Sequence, residues 1–378
     1  MPTKIAFVGV GDISGIYLKN IFERFNNLEV VGVCDLEREK AERAVKQYGI
    51  PKLYNDMYEL FADPEVDIVL NITRPYEHYA VSKAALLAGK PVYSEKPLAA
   101  TLEEGRELAA LAAEKNLYLG GAPDTFLGAG IQGCRRFIEE GLIGEPVGFA
   151  AHMICHGHET WHVDPAFYYK HGGGQMLDMG PYYVTALVNL LGPVKSVMGM
   201  TKITYPTRLI TSKPHCGEVV DVVAQTHYTG LMRFANGATG TIIMTFDAYS
   251  MPGKYNIEIY GSKGNMTVPD PNNFSGEILV KLGERNSPNA NEVIGNGQFI
   301  ALDTPFEAYD ENSRALGLAD MAEAIQDGRK ARAGVEQTLH VLEVLTAFQR
   351  SSESGREIEI EAPYEPAPPM PDGEPIWG

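Results

Sequence analysis

An apolar run, Lys4–Val10, leads straight into the glycine-bearing segment Gly9-Val10-Gly11-Asp12-Ile13-Ser14-Gly15 and then into a helical stretch, Ile16–Phe25. A strand, a glycine turn and a helix in that order constrain the fold more than any other feature of the chain. Gly9 permits the tight turn, and Gly11 lets the backbone approach a pyrophosphate. The helix start supplies N–H donors and the positive end of its dipole. The third motif position is Ser14, small but not glycine. A second apolar run, Val30–Cys34, ends at Asp35, where a ribose-binding carboxylate belongs. The plain alternative is an ordinary glycine turn of an α/β protein, and the acidic partner argues against it. Asp35 would accept hydrogen bonds from adenosine hydroxyls and repel a 2′-phosphate. NAD is therefore expected over NADP, with Arg38 nearby working against that preference.

The alternation continues through the first third. Val66–Ile72, Val92–Ser94 and Leu117–Gly120 read as strands, and Glu37–Tyr48, His78–Ala88 and Glu103–Lys115 as helices. Gly49-Ile50-Pro51 is a good helix stop. Strands alternating with helices imply a parallel sheet with right-handed crossovers and helices on both faces. After about residue 125 the pattern changes. Phe126–Glu140 reads as a helix, Val147–Ile154 as a strand and His156–Lys170 as a polar, aromatic loop. Gly172-Gly173-Gly174 leads into a helix over Met176–Leu191. Ser196–Tyr205, Val222–Tyr228, Leu231–Phe234, Thr239–Phe246, Tyr255–Tyr260 and Ile278–Lys281 then follow as strands with no helices between them. Ala235-Asn236-Gly237 is a hairpin turn. These features predict a large, mainly antiparallel sheet open on one face, closed off by helices near Leu316–Asp327 and Val335–Arg350. The expected division is 1–125, a dinucleotide-binding domain; 126–362, an α/β domain for substrate and oligomerisation; and 363–378, a proline-rich extended tail.

Composition narrows the partners. The net charge of −17 opposes general binding to nucleic acid or to an anionic membrane surface. No apolar run approaches the ~20 residues of a membrane helix. The cysteines, Cys34, Cys134, Cys155 and Cys216, are scattered without a CxxC pair, which reads as reduced thiols. With no signal-peptide pattern at the start, a cytoplasmic location is expected.

Two further signals carry chemistry. Glu95-Lys96-Pro97 closes an apolar strand at its carboxyl end, where ligands bind in open α/β sheets; a solvated strand end is the plain alternative. His152, His156, His158, His162 and His171 cluster within 20 residues. Their spacing suits a metal, but no further Cys or His pair completes a tetrahedral site, and no metal is expected. A sugar pocket fits better: imidazoles hydrogen-bond hydroxyls, and Trp161, Tyr168 and Tyr169 can face a pyranose. An exposed polar loop is the bland alternative.

Together with Thr73-Arg74-Pro75-Tyr76-Glu77-His78, Gly172-Gly173-Gly174-Gln175-Met176-Leu177-Asp178-Met179-Gly180 and Tyr260-Gly261-Ser262-Lys263-Gly264, these residues make the chain resemble the glucose-fructose oxidoreductase / inositol dehydrogenase (Gfo/Idh/MocA) family over nearly its whole length. The resemblance implies a Rossmann domain, an α/β domain whose open sheet often forms oligomers, a nicotinamide cofactor and a sugar, polyol or glycoside substrate. It maps the catalytic lysine to Lys96 and the Asp-x-Gly-x-His motif to Asp178 through position 182. There Tyr182 replaces the histidine. A second departure is Ala122-Pro123-Asp124-Thr125-Phe126, where many relatives carry an Asn-x-Arg-Phe-like segment. The variant with the His-rich loop resembles the branch that oxidises C3 of glycosides.

The implied catalytic set is Lys96, Tyr182 and Asp178. Gly9, Gly11, Asp12, Ile13, Asp35, Thr73, Pro75, His78, Glu95 and Lys96 would hold NAD. Asp124, His156, His158, Trp161, His162 and Tyr183 would hold substrate. A nicotinamide cation and burial both depress a lysine, so Lys96 can take the alcohol proton with Tyr182 assisting. The expected function is an NAD-dependent oxidoreductase acting on a sugar or glycoside, at C3 of a pyranoside. One alternative is an NAD-dependent glycoside-cleaving enzyme that oxidises C3 transiently with no net redox change. Another is a non-catalytic NAD or sugar sensor. A dimer or tetramer through the second domain's sheet is expected, with neither nucleic acid nor membrane as partner.

Overall fold

The computed structural model describes residues 1–250, 256–283, 298–304 and 306–371. The chain divides into two compact units: Met1–Asp124 with Ser313–Leu342, and Thr125–Asn312 with Glu343–Gly373.

In the first unit, β1 (Thr3–Val8), β2 (Leu28–Cys34), β3 (Lys52–Leu53), β4 (Ile68–Asn71), β5 (Val92–Ser94) and β6 (Leu119–Gly121) form one sheet in the order β3-β2-β1-β4-β5-β6. Every pairing is parallel. This is the doubly wound order, with its reversal between β1 and β4. Helices Ser14–Arg24, Arg38–Tyr48, Met57–Ala62, His78–Leu87 and Leu102–Lys115 make the connections. The central strands are continuous apolar runs because both faces are covered: Ile68, Val69 and Leu70 are fully buried. β3 and the short helix after it were too brief to leave a periodic signal in the sequence.

The segment 313–342 corrects the expected domain limits, which gave it to the second domain. Helix Leu316–Asp327 belongs to the first unit because that unit's side chains hold it. Asn20 Nδ2 donates to the carbonyl of Arg314 at 2.9 Å, and Asn27 Nδ2 to that of Ala319 at 3.1 Å. Gln326 Nε2 donates to Thr3 Oγ1 at 3.0 Å.

In the second unit, β7 (Pro146–Ile154), β8 (Val194–Lys202), β11 (His227–Phe234), β12 (Thr239–Thr245), β13 (Ile257–Gly261), β14 (Gly264–Val268), β15 (Ile278–Leu282), β16 (Ile300–Leu302) and β17 (Ile358–Glu359) form a nine-stranded sheet. Its order is β16-β15-β14-β13-β7-β12-β11-β8-β17, antiparallel throughout except for the parallel pair β7–β12. Strand β11 alternates strictly: Tyr228, Gly230, Met232 and Phe234 point inward, while Thr229, Leu231 and Arg233 are exposed. On the inner face Phe348 packs against β8 and β11. On the outer face Met198, Met200 and Leu231 are exposed. A separate ribbon pairs β9 (Thr207–Leu209) with β10 (Val219–Asp221).

Several boundaries differ from expectation. The strand expected over Val222–Tyr228 is instead an irregular stretch after β10, over 222–226, and the start of β11. The helix expected over Met176–Leu191 is two, Gln175–Asp178 and Gly180–Leu191, parted at Met179. Tyr255 and the last residues of the expected tail, 372–378, lie outside the described residues.

Candidate active site

In the first unit the glycine turn is shaped for a dinucleotide. Gly9 has φ +94°, and a Cβ there would lie 2.8 Å from the carbonyl oxygen of Ile72. At Gly11 a Cβ would meet nothing within 4 Å, so the space beside the helix start is open. Asp12 and Ile13 beside it are exposed, and Ser14 Oγ ties the turn by donating to the Gly11 carbonyl at 2.6 Å. Asp35 accepts from the N–H of Val10 at 2.6 Å and from that of Glu37 at 2.7 Å, fixing its carboxylate at the tip of β2 beside the turn. Arg38, the cation that could favour a 2′-phosphate, is engaged by Glu42 and Asn55, each at 3.1 Å. These residues fit NAD: a cradle open where a phosphate approaches, and a carboxylate placed for ribose hydroxyls.

At the end of β5, Glu95 is nearly buried. It accepts from the Tyr17 hydroxyl at 2.7 Å and from the Lys96 N–H at 3.0 Å, which sets the course of the chain through the half-buried Lys96. Thr73 Oγ1 donates to Asn71 Oδ1 at 2.7 Å. Pro75, in the same segment, is half-buried.

Two expected ligand residues of this unit are corrected. His78 is buried, and its ring nitrogens contact the carbonyls of Pro97 at 2.7 Å and Thr73 at 3.1 Å. It ties the Thr73 segment to the strand end instead of offering a donor to a cofactor. Asp124 is fully buried, and its Oδ2 accepts from the N–H groups of Ala315 at 2.9 Å and Gly317 at 3.2 Å. It holds the start of helix Leu316–Asp327 and is out of a substrate's reach. Burial is the main cause that pushes its carboxyl up to about 6, opposed by Arg314 and the Gly317 N–H.

In the second unit the loop after β7 brings His158 onto Asp178. His158 Nε2 lies 3.0 Å from Asp178 Oδ2, a contact across 20 residues of sequence. Three aromatic rings surround the imidazole: Tyr168 with centroids 4.2 Å apart, Phe246 at 4.6 Å and Trp161 at 5.1 Å. Trp161 is 61% exposed. His162 Nδ1 accepts from the Asp164 N–H at 3.0 Å, and its ring packs against Phe167 and Tyr168. His156 lies against Tyr249, centroids 5.3 Å apart. Tyr182, in the first turn of helix Gly180–Leu191, is mostly buried.

A charge cluster that the sequence reading missed anchors this loop. Arg208 on β9 donates through Nη1 to Glu159 Oε1 at 2.9 Å and to the His156 carbonyl at 3.0 Å. Its Nη2 reaches the Phe246 carbonyl at 3.2 Å and the Asp247 carboxylate. Tyr169 donates its hydroxyl to the other oxygen of Glu159, and Thr226 donates to Asp247 at 2.9 Å. Burial, then Glu159, pushes the Tyr169 phenol upward. The loop passes so close to this cluster that a Cβ on Gly157 would lie 2.5 Å from the Tyr169 hydroxyl. Asp247 follows the apolar Phe246 just past the end of β12, a signal akin to the one that singled out Asp35 and Glu95. Glu159 and Arg208 left no such mark.

Tyr169 and Tyr183 are further corrections. Tyr169 is fully buried in a cluster with Ile210, Val220, Val222 and Phe246, so it cannot face a sugar. Tyr183 is buried within its helix's packing, and burial raises its phenol. Among the described residues, no group of three His, Cys, Asp or Glu side chains is placed to hold a metal ion. Among them, too, no helix is long and apolar enough to cross a membrane.

Residues 3–120 match the model of an oxidoreductase family with an NAD-binding Rossmann fold, and residues 131–267 match the GFO/IDH/MocA C-terminal domain. The chain is 24% identical over 371 residues to D-glucoside 3-dehydrogenase of Escherichia coli, covering 95% of this chain and 98% of that one. It is 30% identical over 174 residues to D-xylose dehydrogenase of Paenarthrobacter nicotinovorans, a match spanning 45% of either chain. A solved structure of levoglucosan dehydrogenase with NADH and L-sorbose superimposes with a TM-score of 0.79 at 21% identity, covering 96% of this chain and 100% of that one. The parallel sheet with its glycine turn and Asp35, the nine-stranded sheet, and the two matched domain models lead to one conclusion: the chain belongs to the Gfo/Idh/MocA family of NAD-dependent oxidoreductases.

Proposed function

We propose that this chain oxidises a hydroxyl of a sugar or glycoside, at C3 of a pyranoside, with NAD as the hydride acceptor. The observation that carries the reading is the His158–Asp178 pair set among Tyr168, Phe246 and Trp161. Polar groups beside aromatic faces match the two chemistries of a pyranose, hydroxyls at its edge and C–H bonds on its faces. The names of the relatives, D-glucoside 3-dehydrogenase and levoglucosan dehydrogenase, point the same way.

NAD, when bound, supplies a carbon that accepts hydride. The glycine turn and Asp35 hold its adenosine and pyrophosphate. Lys96 acts on the reacting hydroxyl, and Tyr182 assists. Asp178, His156, His158, Trp161 and His162 orient the sugar. Exposed Met198, Met200 and Leu231 on the outer sheet face support a homo-oligomer, a dimer or tetramer, which light scattering would size. We place the protein in the cytoplasm, in keeping with its four free cysteines.

The test is a panel of pyranosides incubated with NAD, read for NADH absorbance and for released aglycone. NADH formed in step with a keto-glycoside supports the reading. Aglycone released without NADH means transient C3 oxidation and bond cleavage, and binding without turnover means a sensor.

A further inference from the structure

The family motif ends in an imidazole four residues after its aspartate, and here that position is Tyr182. The aspartate nevertheless has an imidazole beside it, delivered from the loop after β7. We propose that His158, held by Asp178, is the group that receives the alcohol proton, with Lys96 and Tyr182 holding the reacting hydroxyl. The proposal rests on the dehydrogenase reading and names a catalytic group within it.

Three observations point to this assignment. First, the His158–Asp178 contact uses Nε2, so the carboxylate selects the tautomer with its proton on Nε2 and a bare lone pair on Nδ1. Second, His158 is 8% exposed, and its Nδ1 is shielded from solvent with no hydrogen-bond partner. A buried acceptor with no donor is costly to keep unless a ligand supplies one. Third, the loop is held firmly on both sides of the residue, by Arg208 on the His156 carbonyl and on Glu159. A carboxylate that orients an imidazole whose other nitrogen is open to substrate is the recurring arrangement of a general base. A substrate hydroxyl reaches Nδ1 by displacing a ring, and of the three around it Trp161 keeps the most surface in solvent.

In the step itself, the carbinol C–H bond breaks and its electron pair leaves as hydride for the nicotinamide. The O–H bond breaks with its proton going to Nδ1, and the C=O bond forms. The products are the ketone, the reduced cofactor and an imidazolium facing the Asp178 carboxylate.

The test combines activity with two readouts independent of it. With ¹⁵N-labelled histidine, the His158 resonances, identified by their loss in His158→Gln, should show the Nε2–H tautomer in cofactor-free protein. His158→Gln and His158→Ala should bind NADH as the wild type does while losing about 10²–10⁴ in kcat. Added imidazole should restore turnover to His158→Ala, whose vacated space is framed by the three rings. An Nδ1–H tautomer, or His158→Gln active within threefold of wild type, overturns the proposal and leaves the dehydrogenase reading standing. Wild-type protein that reduces NAD with none of the pyranosides overturns the reading, and this assignment falls with it.

Discussion

Asp124 makes a quantitative prediction possible, because one buried carboxyl meets one helix start. Its folded value of about 6 stands above the ~3.9 of an exposed aspartate. The folded state therefore holds its proton where the unfolded chain has released it. Stability from this group is fully present below pH ~4 and is lost as pH rises through 6. The gap of roughly two pH units corresponds to about 3 kcal/mol at ~1.36 kcal/mol per unit. Asp124→Asn keeps an acceptor for the Ala315 and Gly317 N–H groups and removes the charge. Its amide nitrogen would occupy the site of Oδ1, which has no partner, so the variant carries a constant cost of about 1–3 kcal/mol. The wild-type advantage over Asp124→Asn should therefore shrink by about 2 kcal/mol between pH 4 and pH 7, because the unfolded carboxyl is already about half ionised at pH 4. Urea midpoints of both proteins at four pH values, followed by circular dichroism, measure that gap. A gap constant with pH, or one that widens toward neutrality, refutes the reasoning.

Other substitutions test the remaining parts. Asp35→Ser should narrow the preference for NAD over NADP, since the like charge facing a 2′-phosphate is gone; equal wild-type affinity for both cofactors would contradict this. Lys96→Ala should lose about 10²–10⁴ in kcat with NADH binding retained, as read by cofactor fluorescence; a loss under threefold would take Lys96 away from the reacting hydroxyl. Arg208→Met leaves Glu159 and Asp247 without their shared cation and should cost about 3–5 kcal/mol in urea unfolding. A cost under 1 kcal/mol would mean that water or a proton replaces the guanidinium.

The first unit was legible because its evidence is local and periodic. Apolar runs alternate with helical stretches, each strand end carries its own charged or glycine signal, and the doubly wound order follows from crossover handedness. The hairpin at Ala235-Asn236-Gly237 was equally legible and joins β11 to β12, with Gly237 at φ +93°. What stayed hidden depends on contacts between residues far apart in the chain. Asp124 stood in a segment where relatives differ, which suggested substrate, yet its partners lie some 190 residues on, at the start of Leu316–Asp327. His158 and Asp178 were each marked by composition or motif, but no periodicity joins a loop residue to a helix. Tyr169 read as a sugar platform and Tyr183 as a substrate residue because aromatic residues look alike in sequence whether they face a ligand or a core.

The return of 313–342 to the first unit also dictates an order of events during synthesis. Every strand of the parallel sheet has left the ribosome once residue 121 has emerged, yet the helix that caps Asp124 is still unmade. Gly120 and Gly121 meanwhile lack the Ala333 backbone that later packs beside them. Nearly two hundred residues, including most of another sheet, must be translated before that edge closes. A nascent chain stalled short of Leu316 would present β6 unprotected, with Asp124 facing two N–H groups that do not yet exist. Pulse proteolysis of stalled chains should find this edge open until the helix arrives, and a fragment ending at Asp124 should be an incomplete body rather than a free-standing domain.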